Sequence, residues 1–531
     1  MRPAEQPRRA WAQFIAPAVI LIAAVVVRLP LVGWGLPNSQ HYFSYHPDEI
    51  FLLLPSFGFA QGDWNPHFFN YGTLYIYLVG LPAMLLGTTQ SSQFPTNLSP
   101  LYELGRMVSL TMGVATVGLV MVPFWRKQRG LGLLSGALLA ICPLHVMNSG
   151  FATVDVTATF FITLAFVLAL RGAEKADVKW GAAVGMAVGL AAATKYNAGL
   201  FIVPAMLAPL VMTPRRWRWG WCAASMGGAA LGFVIGCPYF WTEKFRQGLL
   251  FEVQHARIGG TLAFVDTGNG WGYHLIHGLP VGLGYALLLA VIVGVIAAVR
   301  APFRPTRLSL LWIVFYLLAI GFGKERFIRY LVPLTPFLCV VAAFGLGRVV
   351  GLTRSNLSLF GAVAAAAAVV ALTGLYWIGG MLPLAVIDVR DYIGLQSDYP
   401  VNGGRLGLVE APWYSDPPVS PYNAGPFSRG VFEEWNQRNG SRVVVTGWDA
   451  ARLRAERPDV FFLSDVESQD LLRLKRPEAV SLVAALGGVY KSRHMFSDFG
   501  TPFDWLGPPL AWAPPDWRYL SPRITMYYDP R

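Results

Sequence analysis

Charge is scarce in this chain: Asp, Glu, Lys and Arg make up 14% of 531 residues, against 54% hydrophobic. Ala16–Val27 with its flanks, Leu104–Phe124, Leu131–Val146, Phe151–Leu170, Trp221–Cys237, Val281–Val299, Leu308–Ile320, Leu331–Leu346 and Leu359–Ile378 are almost free of it. A helix needs roughly 20 such residues to cross the hydrocarbon core. A soluble fold can hide one or two stretches of this kind, not this many, so a soluble globular enzyme is excluded. Cysteine is scarce too. Cys142, Cys222, Cys237 and Cys339 lie in or beside apolar segments without paired metal spacing, which argues against a disulfide framework and against zinc. The formal charge of +12 is not a nucleic-acid signature, because the basic residues fall mostly in short loops between apolar segments.

Those loops set an orientation. Met1–Arg9, Trp125–Gly130, Arg171–Lys179, Pro214–Trp219, Arg300–Arg307 and Arg348–Arg354 all belong in the cytoplasm by the positive-inside rule. The Met1–Arg9 segment leads into an apolar run with no small-residue cleavage site, so it reads as a retained first helix. Simple alternation fails if Tyr71–Leu86 also crosses. With Tyr71, Tyr75 and Tyr77 at its start and Pro82 inside, that segment reads as an interfacial helix on the outer side. Gly181–Thr194 and Gly199–Met212 then form a pair turning at Lys195-Tyr196-Asn197. The expectation is about 11 transmembrane helices over residues 1–380, with the N-terminus cytoplasmic. Outer loops follow at 34–103 and 239–280, and residues 381–531 form an extracytoplasmic domain.

Polar residues worth explaining gather on the outer face. His46-Pro47-Asp48-Glu49 places two acids beside a histidine just before an apolar run. Capping the next helix explains one acid; a general base or a divalent-cation ligand explains two. His67 follows in the same loop, as a candidate ligand or a histidine bonded to backbone. Asp155 stands at the outer start of an otherwise neutral helix, as a cap or as part of an acidic cluster. Arg106, Lys195, Lys324, Arg326 and Arg329 border the same face. Each alone is explained by snorkelling; together, beside carboxylates, they suit a phosphate or pyrophosphate. The loop at 239–280 carries Glu243, Arg246, Glu252, His255 and Arg257 before a glycine-rich strip that closes over a lipid donor or simply connects helices.

After residue 380 the composition turns polar and proline-rich. Leu406–Val409, Val443–Thr446, Val460–Leu463 and Ile524–Tyr528 read as strands, with Arg452–Glu456 and Asp470–Lys475 as helices between them. A small α/β domain results, rich in Trp and Tyr near Trp505–Tyr528. It has no P-loop, no dinucleotide-binding glycine pattern and no nucleophile elbow.

Six short stretches, in order and spacing, resemble one family. They are Tyr45–Glu49 (YHPDE), Asn65–Leu78 (NPHFFNYGTLYIYL), the ELGRMVSL around Arg106, Ser149–Phe161 (SGFATVDVTATFF), Ala191–Ala205 (AAATKYNAGLFIVPA) and Glu325–Phe337 (ERFIRYLVPLTPF). Over about residues 11–350 the chain resembles the GT-C type polyprenyl-phosphate-dependent glycosyltransferases, in particular the protein O-mannosyltransferase and aminoarabinose transferase families. The resemblance implies a polytopic all-α membrane protein of GT-C type with a C-terminal extracytoplasmic α/β domain. It implies Asp48 as the base that activates an acceptor hydroxyl, supported by Glu49, with Asp155 as a further acid. Arg106, Lys195, Tyr196, Arg326, Arg329 and Tyr330 would face the donor phosphate, and His46, His67 and His255 are candidates without a fixed role. One departure is that Asn70-Tyr71-Gly72 follows Phe69, and an acid that relatives carry near this turn is missing, which argues against a metal-dependent mechanism; if a divalent metal (Mg or Mn) is used, Asp48 or Glu49 is its ligand.

The function expected is transfer of a sugar from a polyprenyl-phosphate donor to an acceptor hydroxyl, with inversion, at the outer face of a bacterial inner membrane. The partners expected are that donor, a glycan, lipid or protein acceptor and membrane lipids, with no nucleic acid. Two alternatives stay open: a transporter or flippase of lipid-linked glycans, which usually shows half-repeats or broken helices, and an oligosaccharyl- or polymerase-type transferase using a lipid pyrophosphate.

Overall fold

The computed structural model describes residues 7–90, 92, 94–126, 128–213, 218–301, 303–351, 356–381, 387–395, 404–497 and 514–530. Among these, eight helices are long and apolar enough to cross a membrane: Gln13–Val32, Ser99–Phe124, Val154–Gly172, Trp219–Gly236, Gly270–Arg300, Arg304–Gly321, Ile328–Arg348 and Val363–Gly380. Arg129–Ala140, Val178–Thr194 and Tyr196–Met212 are shorter apolar helices packed among them. These three complete the set of segments that the charge pattern treats as crossings; eight qualify on length. The chain is a polytopic, mostly helical membrane protein with a small C-terminal sheet.

Without a hydrophobic drive between helices inside lipid, close packing has to hold them together, and small residues permit it. Helices Val178–Thr194 and Trp219–Gly236 show how. Gly181, Gly185 and Gly189 recur every four residues on one, and Gly228, Gly232 and Gly236 on the other. A Cβ on Gly185 would overlap the Ser225 carbonyl, one on Gly189 the Ala229 carbonyl, and one on Gly228 the Ala182 carbonyl. The two backbones lie in direct contact. Gly294 meets the Val341 backbone in the same way, joining helices Leu279–Arg300 and Thr335–Gly351.

Between the first two long helices lie Glu49–Leu53, Ser56–Ala60 and Leu74–Leu85. The last has 12 residues, about 18 Å at 1.5 Å per residue, well short of the roughly 30 Å hydrocarbon core. Its Tyr75, Ile76, Val79 and Ala83 are buried with Leu52, Leu53, Phe59 and Leu101, while Leu85 is 81% exposed. One side of this helix is thus packed and its C-terminal end open. Helix Glu243–Ile258, capped by Thr242, also lies against this region, its Gly248 pressed onto the Phe69 backbone. Leu250, Phe251, Val253 and Ile258 stay exposed along it, the apolar stripe of an amphipathic helix at a membrane surface.

The C-terminal residues form a five-stranded sheet in the order β2-β1-β3-β5-β4. The strands are β1 (Leu406–Leu408), β2 (Val443–Val445), β3 (Val460–Ser464), β4 (Ser492–Phe496) and β5 (Ile524–Tyr528). β1 runs parallel to β2 and β3, and β5 runs antiparallel to β3 and β4. Phe432 of helix Arg429–Arg438 packs on one face of the sheet and Leu453 of helix Ala450–Glu456 on the other. Strand β4 and helices Arg429–Arg438 and Pro477–Val489 add to the elements read from sequence. The composition of β4, Ser-Arg-His-Met-Phe with its middle exposed, suits a polar edge strand and gives no apolar run. The 498–513 part of the aromatic-rich stretch lies outside the described residues.

Replacing Gly185 by Leu should separate the two glycine-packed helices and lower stability by about 1–3 kcal/mol, read as a drop in Tm of the purified protein in detergent. Gly227→Ala, where nothing stands within 4 Å of the added carbon, should leave Tm unchanged. An unchanged Tm for Gly185→Leu would contradict the packing.

Candidate functional site

The two acids of Asp48-Glu49 part company at the start of helix Glu49–Leu53. Successive residues of a helix project about 100° apart, so one carboxylate turns inward while its neighbour turns away. Glu49 meets Arg106 side by side: Nε donates to Oε1 at 2.8 Å and Nη2 to Oε2 at 2.7 Å. Both side chains are fully buried. Ser44 Oγ and the Ala152 N–H donate to Glu49 at 2.6 and 2.7 Å, and Arg106 Nη1 donates to the carbonyls of Val32 and Trp34. Burial would push the Glu49 carboxyl up, but Arg106 outweighs it and holds the group below its ordinary value.

Asp48 makes no capping bond; its carboxylate accepts from Arg329 Nη1 instead. This pair stays partly open, with the side chains 25% and 15% exposed. Burial acts to raise the Asp48 carboxyl, yet the guanidinium prevails and holds it below its ordinary value. His46 lies beside them, its ring 4.7 Å from Phe151 and 5.4 Å from Tyr519. Its Nδ1 accepts the Asp48 N–H at 3.2 Å. Burial lowers its pKa despite the flanking carboxylates, so the ring is neutral and carries its proton on Nε2.

A third pair closes the floor. Thr153, not Asp155, is the N-cap of helix Val154–Gly172, and Asp155 accepts Lys195 Nζ at 2.6 Å. Lys195 sits where helix Val178–Thr194 ends, its ammonium 4.9 Å from the Tyr330 ring and 6.0 Å from the Tyr71 ring. Asp48, Arg329, Asp155, Lys195 and Tyr330 thus gather into one cluster at one end of the helices. At the other end, a cavity of about 1,090 Å³ among Trp125, Arg126, Arg171 and Arg304 has no carboxylate in its lining.

Residues 104–241 match the family model described as dolichyl-phosphate-mannose-protein mannosyltransferase, and residues 267–417 match that of the Alg9-like mannosyltransferase family. Both models describe mannosyltransferases, and the chain is a membrane glycosyltransferase. Among solved structures it is similar to ArnT from Cupriavidus metallidurans in the apo state, at 14% identity over 99% of this chain and 100% of that one, TM-score 0.49. The same protein bound to undecaprenyl phosphate gives 16% identity over 98% and 99%, TM-score 0.49. The oligosaccharyltransferase AglB from Archaeoglobus fulgidus gives 12% over 95% and 75%, TM-score 0.48. No curated protein matches the chain.

Other residues of the transferase singled out by sequence lie apart from this cluster. Arg106 does not face a donor phosphate: its hydrogen bonds go to Glu49 and two carbonyls, and none of its side chain is exposed. Arg326 donates to the Thr267 hydroxyl and the Phe264 carbonyl. Tyr196 directs its hydroxyl at the carbonyls of Phe69 and Tyr71, tying down the first loop. His255 stands 3.8 Å from Glu325, and the half-exposed His67 pairs with Asp63 at 2.8 Å. The metal expectation also fails a fit test. Asp48 and Glu49 each already face a guanidinium, and among the described residues no three His, Cys, Asp or Glu side chains converge as cation ligands do.

The cluster also has neighbours that the motifs do not contain. Asp516 accepts the Arg329 backbone N–H at 2.9 Å, and Tyr519 covers His46. Glu252 projects from helix Glu243–Ile258, where burial pushes its carboxyl up to about 7 against the pull of Lys195 and Arg329.

Two outcomes follow for the transferase. Glu49→Gln leaves the Arg106 charge buried and uncompensated, so it should destabilise the protein by about 3–5 kcal/mol, measured by thermal unfolding. Asp48→Asn, at a partly open pair, should shift Tm far less; equal losses would contradict the division of roles. Glu252, whose folded pKa of about 7 lies above the ordinary 4.5, contributes stability that is full below about pH 4.5. That contribution is lost as pH rises through about 7. Tm of wild type minus Tm of Glu252→Gln should therefore fall between pH 4.5 and 7 in a series of scans. A flat difference would contradict the burial of this carboxyl.

Proposed function

We propose that this glycosyltransferase moves a sugar from a polyprenyl-phosphate donor to an acceptor hydroxyl at the extracytoplasmic face of a bacterial inner membrane, with inversion and Asp48 as base. One observation carries the assignment of the base. Of the three cation–carboxylate pairs gathered here, only Asp48–Arg329 is open enough for a substrate to reach, while Glu49–Arg106 and Asp155–Lys195 are sealed. The donor class is supported by the dolichyl-phosphate-mannose chemistry of the family matched over residues 104–241. The orientation is supported by the basic loops at the opposite end of the helices.

The pair is resting-state chemistry. Clamped to Arg329, Asp48 is ionised but a poor base. A lipid phosphate entering beside it competes for the same guanidinium. As Arg329 turns to the phosphate, Asp48 loses its counter-charge and regains basicity. The acceptor hydroxyl then passes its proton to the Asp48 carboxylate as its oxygen bonds to the anomeric carbon. The bond from that carbon to the phosphate oxygen breaks, its electron pair leaves with the phosphate, and Arg329 stabilises the charge that develops. Attack opposite to the departing oxygen inverts the anomeric centre. No step needs a metal.

Purified protein in nanodiscs, offered a panel of radiolabelled polyprenyl-phosphate sugars with membrane extract, should transfer label from one donor. Asp48→Asn should lose about 100-fold or more of that rate while still binding the lipid, and EDTA should leave the rate unchanged. A stable Asp48→Asn variant with full activity would sink the base assignment, and loss of transfer in EDTA would sink the metal-free step.

A further inference from the structure

The C-terminal sheet holds a cavity that the transfer step above does not use. β1 is flanked by β2 and β3, all parallel, and the helices that leave β1 and β2 pack on opposite faces of the sheet. That is a topological switch point, where a crevice opens beyond the carboxyl ends of the strands and ligands bind in open α/β sheets. A cavity of about 530 Å³ lies at that place, within the roughly 300–1,000 Å³ range of small-molecule sites. Val409 and Glu410 after β1, Gly447 and Trp448 after β2, and Val466 and Glu467 after β3 line it. A side cleft of about 180 Å³ continues between Arg429 and Arg452.

The lining has a particular chemistry. Trp413, Tyr414 and Trp448 bring aromatic surface, and Glu410, Glu467, Arg429 and Arg452 bring polar groups. Aromatic faces take up the flat C–H faces of sugar rings, while carboxyls and guanidiniums bond ring hydroxyls. Glu467 Oε2 is buried without a hydrogen-bond partner, a vacant bonding position that a buried polar atom rarely keeps. Burial first, then the neighbouring Asp416 and Glu410, push the Glu467 carboxyl up, so it can donate as well as accept.

The cavity is also joined to the catalytic aspartate. Tyr414 lines it, packs on Tyr519 at 5.9 Å, and Tyr519 packs on His46 at 5.4 Å, two residues before Asp48. On the other side, Leu262 of the membrane module contributes to the wall, and Arg473 bonds the Leu262 and Val265 carbonyls. A molecule seated here approaches from the side of the base, the side from which an acceptor must come.

We infer that the cavity at the carboxyl ends of β1, β2 and β3 is a carbohydrate subsite that holds a saccharide portion of the acceptor. The acceptor part of this statement rests on the transfer reaction proposed above, whereas saccharide binding can be read without turnover. Full-length protein in nanodiscs is titrated calorimetrically with α-mannotriose, chitotriose and an arabinofuranosyl trisaccharide. One of the three should bind wild type and Asp48→Asn with the same Kd. Trp448→Ala and the isosteric Glu467→Gln should each weaken it about ten-fold or more, with Tm of Glu467→Gln kept at the wild-type value. Absence of binding by all three overturns the inference, and so does binding that neither variant weakens. A Kd that changes with Asp48→Asn places the sugar in the catalytic cavity and overturns it too. Retained activity in Asp48→Asn would instead remove the proposed base and leave the subsite standing.

Discussion

A carboxylate and a guanidinium buried side by side in apolar surroundings have to satisfy each other, because neither can return to water without opening the structure around it. Glu49 and Arg106 are in that position, and the bonds that complete them reach well beyond the pair. Through Ser44, Ala152, Val32 and Trp34 they gather the first loop, the end of the first long helix, the start of the second and the turn before Val154–Gly172. A slip of one residue in the first loop would put Glu49 elsewhere and leave Arg106 uncompensated, a cost of several kcal/mol. Register is thereby fixed, and with it the direction of the adjacent carboxylate. Asp48 is left to face Arg329 because Glu49 is taken by Arg106.

The other buried charges extend the same rule. Arg28 has no carboxylate beside it, yet its Nη1 donates to the Ala24 and Ala140 carbonyls at 2.8 Å and its Nη2 meets His145 Nδ1 at 3.0 Å. It joins the first helix to Arg129–Ala140 and Pro143–Asn148. Asp155–Lys195 fastens the end of one helix to the start of another. Such fixed pairs leave the mobile electrostatics to the partly open pair alone. A charge that is to be exchanged with a substrate must sit where water still reaches, since a sealed pair exchanges with nothing.

Much of this was legible in the sequence, for identifiable reasons. Long uncharged runs report burial in lipid directly, so the helical architecture needed no tertiary information. The Asp48 cluster stood out because two acids and a histidine beside an apolar run are expensive. Arg106 misled because sequence shows a cation near the site face but not its partner 57 positions away. Arg326 and Tyr196 misled likewise: residues beside motif positions can turn to neighbouring carbonyls. Glu252, Asp516 and Tyr519 carried no local signal, because docking of distant segments brings them beside Lys195, Arg329 and His46. The four-residue glycine spacing in Val178–Thr194 and Trp219–Gly236 was visible and states the packing on its own.

The C-terminal sheet belongs to this arrangement as a wall. Asn423 exchanges bonds with the backbone of Phe43, Tyr45 donates to Asp391 at 2.7 Å, and Asp516 holds the backbone of Arg329 itself. Each of these contacts lands on the first loop or on the segment that carries Arg329, within a few residues of the Asp48–Arg329 pair. The sheet therefore cannot be displaced far without disturbing the two groups that define the open pair. In the proposed reaction an acceptor reaching Asp48 passes along the seam between sheet and helices, where Tyr414 and Tyr519 stand in line. On that proposal, selectivity for the acceptor lies in the part of the chain with no membrane-spanning role. Side chains at the sheet's carboxyl edge can then vary without disturbing the position of Asp48, because none of them contributes to the Glu49–Arg106 network.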